Sequence, residues 1–91
     1  MIARLGYFGD FDFTDREYVL EALADLDGFR GVYHLVDPGT GRGLSISLWD
    51  SAEEAEAGQE AVGQAARAGG HGGPGPDHVE AWDVVRHRVA R

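Results

Sequence analysis

The chain contains no cysteine, so neither a disulfide framework nor a thiolate zinc site can hold it together. It contains no lysine either, all eight basic residues being Arg, which removes Schiff-base chemistry and the phosphate-loop lysine. Asparagine is also missing. No stretch approaches the roughly 18 consecutive apolar residues of a membrane-spanning helix. The start, Met1-Ile2-Ala3-Arg4-Leu5, lacks the basic segment and long apolar run of a signal peptide. These absences lead us to expect a soluble, cytoplasmic protein. Positive charge is scarce as well: 16 acidic residues face 8 basic ones, a formal net charge of −8. Such a surface repels phosphate backbones and anionic headgroups, so neither nucleic acid nor a membrane is expected as a partner.

What remains is a chain of 91 residues, enough for one domain, 1–91, and too short for two. A monomer of this size buries only about two thirds of its unfolded surface, so a second copy would help to complete its core. The high Ala, Gly and Arg content suggests a GC-rich bacterial genome.

Residues 2–8 carry Ile, Leu, Tyr and Phe around Arg4 and end at the Gly9-Asp10 turn signal, which reads as a first strand. Thr14-Asp15-Arg16-Glu17 matches a capping box, and Val19, Ala22, Leu23 and Leu26 then recur at helical spacing. A helix over about residues 15–26 follows, with Gly28 as a left-handed stop. Residues 29–36 and 43–50 read as a strand pair joined by the turn-rich Asp37-Pro38-Gly39-Thr40-Gly41-Arg42. The second of them alternates strictly, Leu44, Ile46 and Leu48 against Ser45, Ser47 and Trp49. Ser51-Ala52-Glu53-Glu54 is a second capping box and predicts a helix to about residue 67. Its inward positions are small, and Gly58 and Gly63 each cost roughly 0.5–1 kcal/mol against Ala. Close packing on the sheet and a ligand cavity both account for them. A loop with five of the 14 glycines precedes a last alternating strand over about residues 78–87.

The order β-α-β-β-α-β is the ferredoxin-like arrangement, an α+β fold whose antiparallel sheet carries both helices on one face. The other face would expose aromatic and branched side chains, and two copies packed back to back would cover it. The chain resembles the antibiotic biosynthesis monooxygenase-like members of the dimeric α+β barrel superfamily. The likeness rests on Gly28-Phe29-Arg30-Gly31, on Asp37 to Gly43 as an Asp-x-x-Thr-Gly-x-Gly hairpin, and on Leu44 through Ser51 running into an acidic, Ala-rich helix. It implies a homodimer with a pocket between sheet and helices, in which some relatives oxidise polycyclic phenols or anthrones with O2 and without metal or flavin. Other members cyclise polyketides, degrade haem, or have no known activity, and a polyketide cyclase or isomerase and a non-catalytic ligand-binding dimer are the alternatives for this chain. Haem-degrading relatives use an Asn, a Trp and a His. Here there is no Asn, and Gly58 and its neighbours occupy the region where those relatives carry their Trp.

The expected ligand is therefore a small aromatic or apolar molecule, with no cofactor. His71, in the glycine-rich loop, and His34 are the candidate bases, since imidazole titrates near neutral pH. Tyr33 and His34 alternate along one strand, so at most one of them points into the pocket. Trp82 and Arg4, on outer strands in the family's sheet order, could stack on or pair with an aromatic or acidic ligand. Against this, Trp82 could pack in a dimer and Arg4 could pair with Glu80. Trp49 matches the family's strand-end Trp and reads as structural before it reads as substrate-binding. His34, His71, His78 and His87 show no metal-ligand spacing, so no metal is expected.

Overall fold

A computed structural model describes residues 1–9, 17–70 and 75–90. The elements run β1 (Ile2–Phe8), α1 (Glu17–Leu23), β2 (Phe29–Val36), β3 (Gly43–Trp49), α2 (Ala52–Ala68) and β4 (His78–Asp83). The four strands form one antiparallel sheet in the order β2-β3-β1-β4. This is the ferredoxin-like α+β fold expected from the order of elements. The order also corrects one expectation: β1 lies inside the sheet, so Arg4 is on a central strand and only Trp82 is on an edge.

Turn chemistry sets the boundaries. The β2–β3 hairpin closes where Asp37 donates its N–H to the carbonyl of Arg42 at 2.8 Å and accepts at its own carbonyl from Gly41 at 2.8 Å. Gly41 sits at φ 77°, a region costly for any residue with a Cβ. At the start of α2 the Ser51 hydroxyl oxygen accepts from the Glu54 N–H at 3.3 Å and donates its proton to the Glu54 carboxylate at 2.9 Å. The cap is the one the sequence announces. The Glu54 side chain, however, takes the hydroxyl proton. The earlier capping box, at Thr14, lies outside the described residues.

Two elements stop earlier than their side-chain patterns suggest. α1 ends at Leu23 and passes into turns, Leu26 donating to Leu23 at 3.1 Å. β4 ends at Asp83 because β1 is its one partner in the sheet and begins at Ile2. A last bond, Val84 N–H to the Met1 carbonyl at 2.9 Å, exhausts that partner.

The core lies between the sheet and the helices and is small. Leu23, Ala55 and Trp49 are buried, Trp49 at 1% exposure, and Val19, Leu26, Phe29, Val32 and Val62 pack around them. The Phe29 ring lies 5.3 Å from the indole of Trp49 at a 58° tilt, within the range of favourable aromatic pairs. Gly58 lies directly over this indole, and a Cβ there would overlap the six-membered ring. The small residue is a packing requirement. At Gly63 a Cβ would meet only the guanidinium end of Arg67, at 3.4 Å.

The two helical glycines should thus respond oppositely to alanine. Gly58→Ala forces the indole aside, which typically costs about 1–3 kcal/mol, and should lower the melting temperature by several degrees. Gly63→Ala should raise stability by about 0.5–1 kcal/mol. Thermal or urea unfolding of the two variants beside the parent checks both signs.

Candidate functional site

A cavity of about 230 Å³ opens between the sheet and the helices. Its floor comes from alternate residues of three strands: Arg4, Gly6 and Phe8 of β1, Val32 and His34 of β2, and Ser45, Ser47 and Trp49 of β3. Tyr18, Val19 and Leu23 of α1 form one wall. Ala55, Gly58, Gln59, Val62, Gly63 and Ala66 of α2 form the other, and Pro76 closes over Gly6, 3.4 Å from where a Cβ would sit.

Strand parity, undecided in the sequence, is settled by this lining. His34 faces the cavity, whereas Tyr33 faces the other side of the sheet at 58% exposure. Trp82 also stands on that outer face, at 59% exposure. Arg4 and Trp49 join His34 in the cavity; Tyr33 and Trp82 do not. His71 lies outside the described residues. Ser45, Ser47 and Gln59 line the cavity as well, and sequence reasoning does not single them out. The strict alternation of β3 contains the signal for the two serines, once the helices are known to cover the serine side.

The floor has a definite register. Arg4 pairs with Ser47 and Ser47 with Val32, while in the next row Gly6 pairs with Ser45 and Ser45 with His34. Arg4 and His34 therefore stand at opposite corners, roughly 12 Å apart at Cα from strand spacing and rise. Arg4 is half-buried, and burial lowers its guanidinium pKa. The ion pair with Glu80 weighed for it does not form, because Glu80 pairs with Leu5 on the opposite face. Trp49 Nε1 is buried with no hydrogen-bond partner.

Glu80 is instead the hub of an outer-face cluster. Its carboxylate accepts from Tyr7 Oη at 2.9 Å and from Trp82 Nε1 at 3.1 Å, and His78 Nε2 lies at 3.0 Å. Hydrogen bonding to His78 first, then to Trp82 and Tyr7, holds the Glu80 pKa below the ordinary carboxylate value. The bond to Glu80 raises the Tyr7 pKa in turn. A second such pair joins β2 to the end of β3, Arg30 Nε and Nη2 donating to the two oxygens of Asp50 at 2.7 and 2.8 Å. It depresses the Asp50 pKa. Among the described residues no group of three His, Asp or Glu could hold a metal ion, and no helix is long and apolar enough to cross a membrane.

Fold and cavity together define a ferredoxin-like α+β domain with a pocket between its sheet and its helices. Among solved structures the chain superposes on MhuD, in an arginine-to-serine variant with two manganese protoporphyrin IX molecules per active site. The TM-score is 0.73 and the identity 19%, over 99% of this chain and 100% of that one. A candidate antibiotic biosynthesis monooxygenase from Chloroflexus aurantiacus J-10-fl superposes with TM-score 0.65 at 17% identity, over 97% and 96% of the two chains. At such identities the likeness is one of fold. In sequence, the chain is 35% identical over 70 residues to an uncharacterized protein of Mycobacterium tuberculosis, found in strains CDC 1551 / Oshkosh and H37Rv. The match takes in 77% of this chain but spans only 30% of the length of that relative. No family model matches the chain.

The depressed carboxylates fix a direction of pH dependence. A group whose folded pKa lies below its unfolded value, about 4.3 for Glu and 3.9 for Asp, stabilises the fold above the unfolded pKa. That contribution disappears as pH falls through the folded pKa. Stability should therefore decline as pH drops below about 4, and Glu80→Gln with Asp50→Asn should flatten the decline. Urea midpoints measured between neutral and acidic pH check it.

Proposed function

We propose that this chain forms a homodimer and oxidises a small aromatic molecule of polycyclic phenol or anthrone type with O2, without metal or flavin, in the cavity between sheet and helices. The observation that carries this reading is the cavity itself, an apolar-walled space of about 230 Å³ with an imidazole, His34, on its floor. Pockets for drug-sized ligands usually run to about 300–1,000 Å³, so a compact frame of two or three fused rings suits it. A porphyrin, as bound by MhuD, is larger than the aromatic ligand of this reading.

In this reading His34 removes a proton from the electron-rich ring or from the carbon between two rings. The resulting carbanion gives its electrons to O2, and a peroxide forms at that carbon. Loss of the remaining hydrogen on that carbon breaks the O–O bond: one oxygen stays as the carbonyl and the other leaves as water. The four electrons lost by a CH2 becoming C=O are the four that O2 accepts, so the balance requires no further reductant. Val19, Val62 and the Trp49 indole hold the ring and exclude water.

The dimer follows from the outer face of the sheet. Ala3, Leu5, Leu44, Ile46, Leu48, Tyr33 and Leu35 share that face, and Tyr33, Leu35 and Trp82 are exposed on it. An apolar area of this kind marks an interaction surface, and a second copy would bury it symmetrically.

Oxygen uptake with dihydroxynaphthalenes and anthrones, read beside ligand-induced thermal shift, tests the activity. Uptake without added metal or flavin is expected, and His34→Phe should reduce turnover by about 10²–10⁴-fold. A thermal shift without uptake would replace the oxidase with a cyclase or a binding protein. For the dimer, Ile46→Glu places a charge at the centre of the outer face and should yield monomers in sedimentation velocity; a parent chain that is itself monomeric would sink the assignment.

A further inference from the structure

The cavity has a chemical bias that an aromatic ligand alone does not use. The protein carries 16 acidic residues, yet none of the described residues lining the cavity is Asp or Glu. One of them, Arg4, is a permanent cation. It is half-buried, and desolvation lowers its pKa. Among the described residues it belongs to no ion pair. A guanidinium cannot shed its proton to escape burial, and a desolvated charge left without a counter-charge is costly. Beside it the floor offers a neutral donor, the hydroxyl of Ser47, its direct cross-strand neighbour.

We propose that the cavity takes an aromatic carboxylate whose acid group is held by Arg4, with the Ser47 hydroxyl as a supporting donor, leaving the hydroxylated end of the ring system near His34. The assignment rests on the small-aromatic-ligand reading above and narrows it to one chemical class. The diagonal placement of Arg4 and His34, roughly 12 Å apart at Cα, sets the shape: acid and hydroxyl belong at opposite ends of a two-ring frame. A ligand with both groups on one edge cannot reach both corners. Guanidinium–carboxylate pairing is bidentate and planar, so Arg4 would also fix the orientation of the ring plane.

6-Hydroxy-2-naphthoate has that shape, and its methyl ester keeps the shape while losing the charge. Titration of the wild-type chain with each, followed by calorimetry or by tryptophan fluorescence, is the test. The acid should bind about 10- to 100-fold more tightly than the ester. Arg4→Gln should abolish the difference by weakening acid binding alone, and Arg4→Lys should restore part of it. Equal affinity of acid and ester, or a preference that survives Arg4→Gln, overturns the carboxylate assignment while leaving a neutral aromatic pocket intact. Failure of acid, ester and 2-naphthol alike to bind removes the aromatic reading and this inference with it. Because the acid–ester comparison uses the wild-type chain, it decides the matter even if the Arg4 variants do not fold.

Discussion

The structure depends on which way β3 faces. Its aliphatic side chains, Leu44, Ile46 and Leu48, point away from the helices, and the side under the helices carries Ser45, Ser47 and Trp49. In an antiparallel sheet with one covered face, the apolar set is expected beneath the cover. The inversion has two consequences at once. The covered side cannot fill itself, because two serines and Gly6 leave volume that α2, built from Ala, Gly and Val at its inward positions, does not supply. The uncovered side is left with the apolar surface that would ordinarily be the core. Cavity and open face are two results of one alternation.

The Trp49 indole keeps this arrangement from collapsing. Among the described residues it is the one large side chain fully buried on the helix side, and it reaches its place because Gly58 allows α2 to lie against it. Among the described residues the buried apolar set is Leu23, Trp49 and Ala55, and small domains have little stability to spare. Ties at the rim supplement it. Arg30 grips Asp50 across β2 and β3. Asp77 binds the end of β1 twice, donating its N–H to the Tyr7 carbonyl at 2.7 Å and accepting from the Gly9 N–H at 2.9 Å. These bonds hold the edges of the sheet in register and leave the middle of the helix-covered face open.

Local chemistry is legible in the sequence, and relations between elements are not. The Asp37–Arg42 turn, the Ser51 cap and the order of elements follow from residues a few positions apart, and the fold follows from that order. The choice between Tyr33 and His34 cannot be made there, because strand parity states that they oppose each other without stating which side the helices cover. Sequence alone puts Arg4 at the sheet edge and the structure puts it inside, because sheet order is a long-range property. The pattern of β4 overstates its length because the alternation continues past the point where β1 ends. The role of Gly58 needs the position of an indole nine residues earlier in sequence and one layer away in space.

Arg4 and Glu80 show how a sheet can separate opposite charges. They lie one register position apart on neighbouring strands and look in sequence like partners, yet the pleat sends them to opposite faces. Glu80 gathers Tyr7, His78 and Trp82 around itself and is satisfied within its own face. Arg4 faces hydroxyls, an indole and aliphatic walls. A sheet that met every charge internally would have put the two on one side. By dividing them, the sheet keeps Arg4 on the cavity side and the Glu80 carboxylate out of the cavity. Among the described residues no carboxylate lines the cavity, which is why we read it as a receptor for an acid.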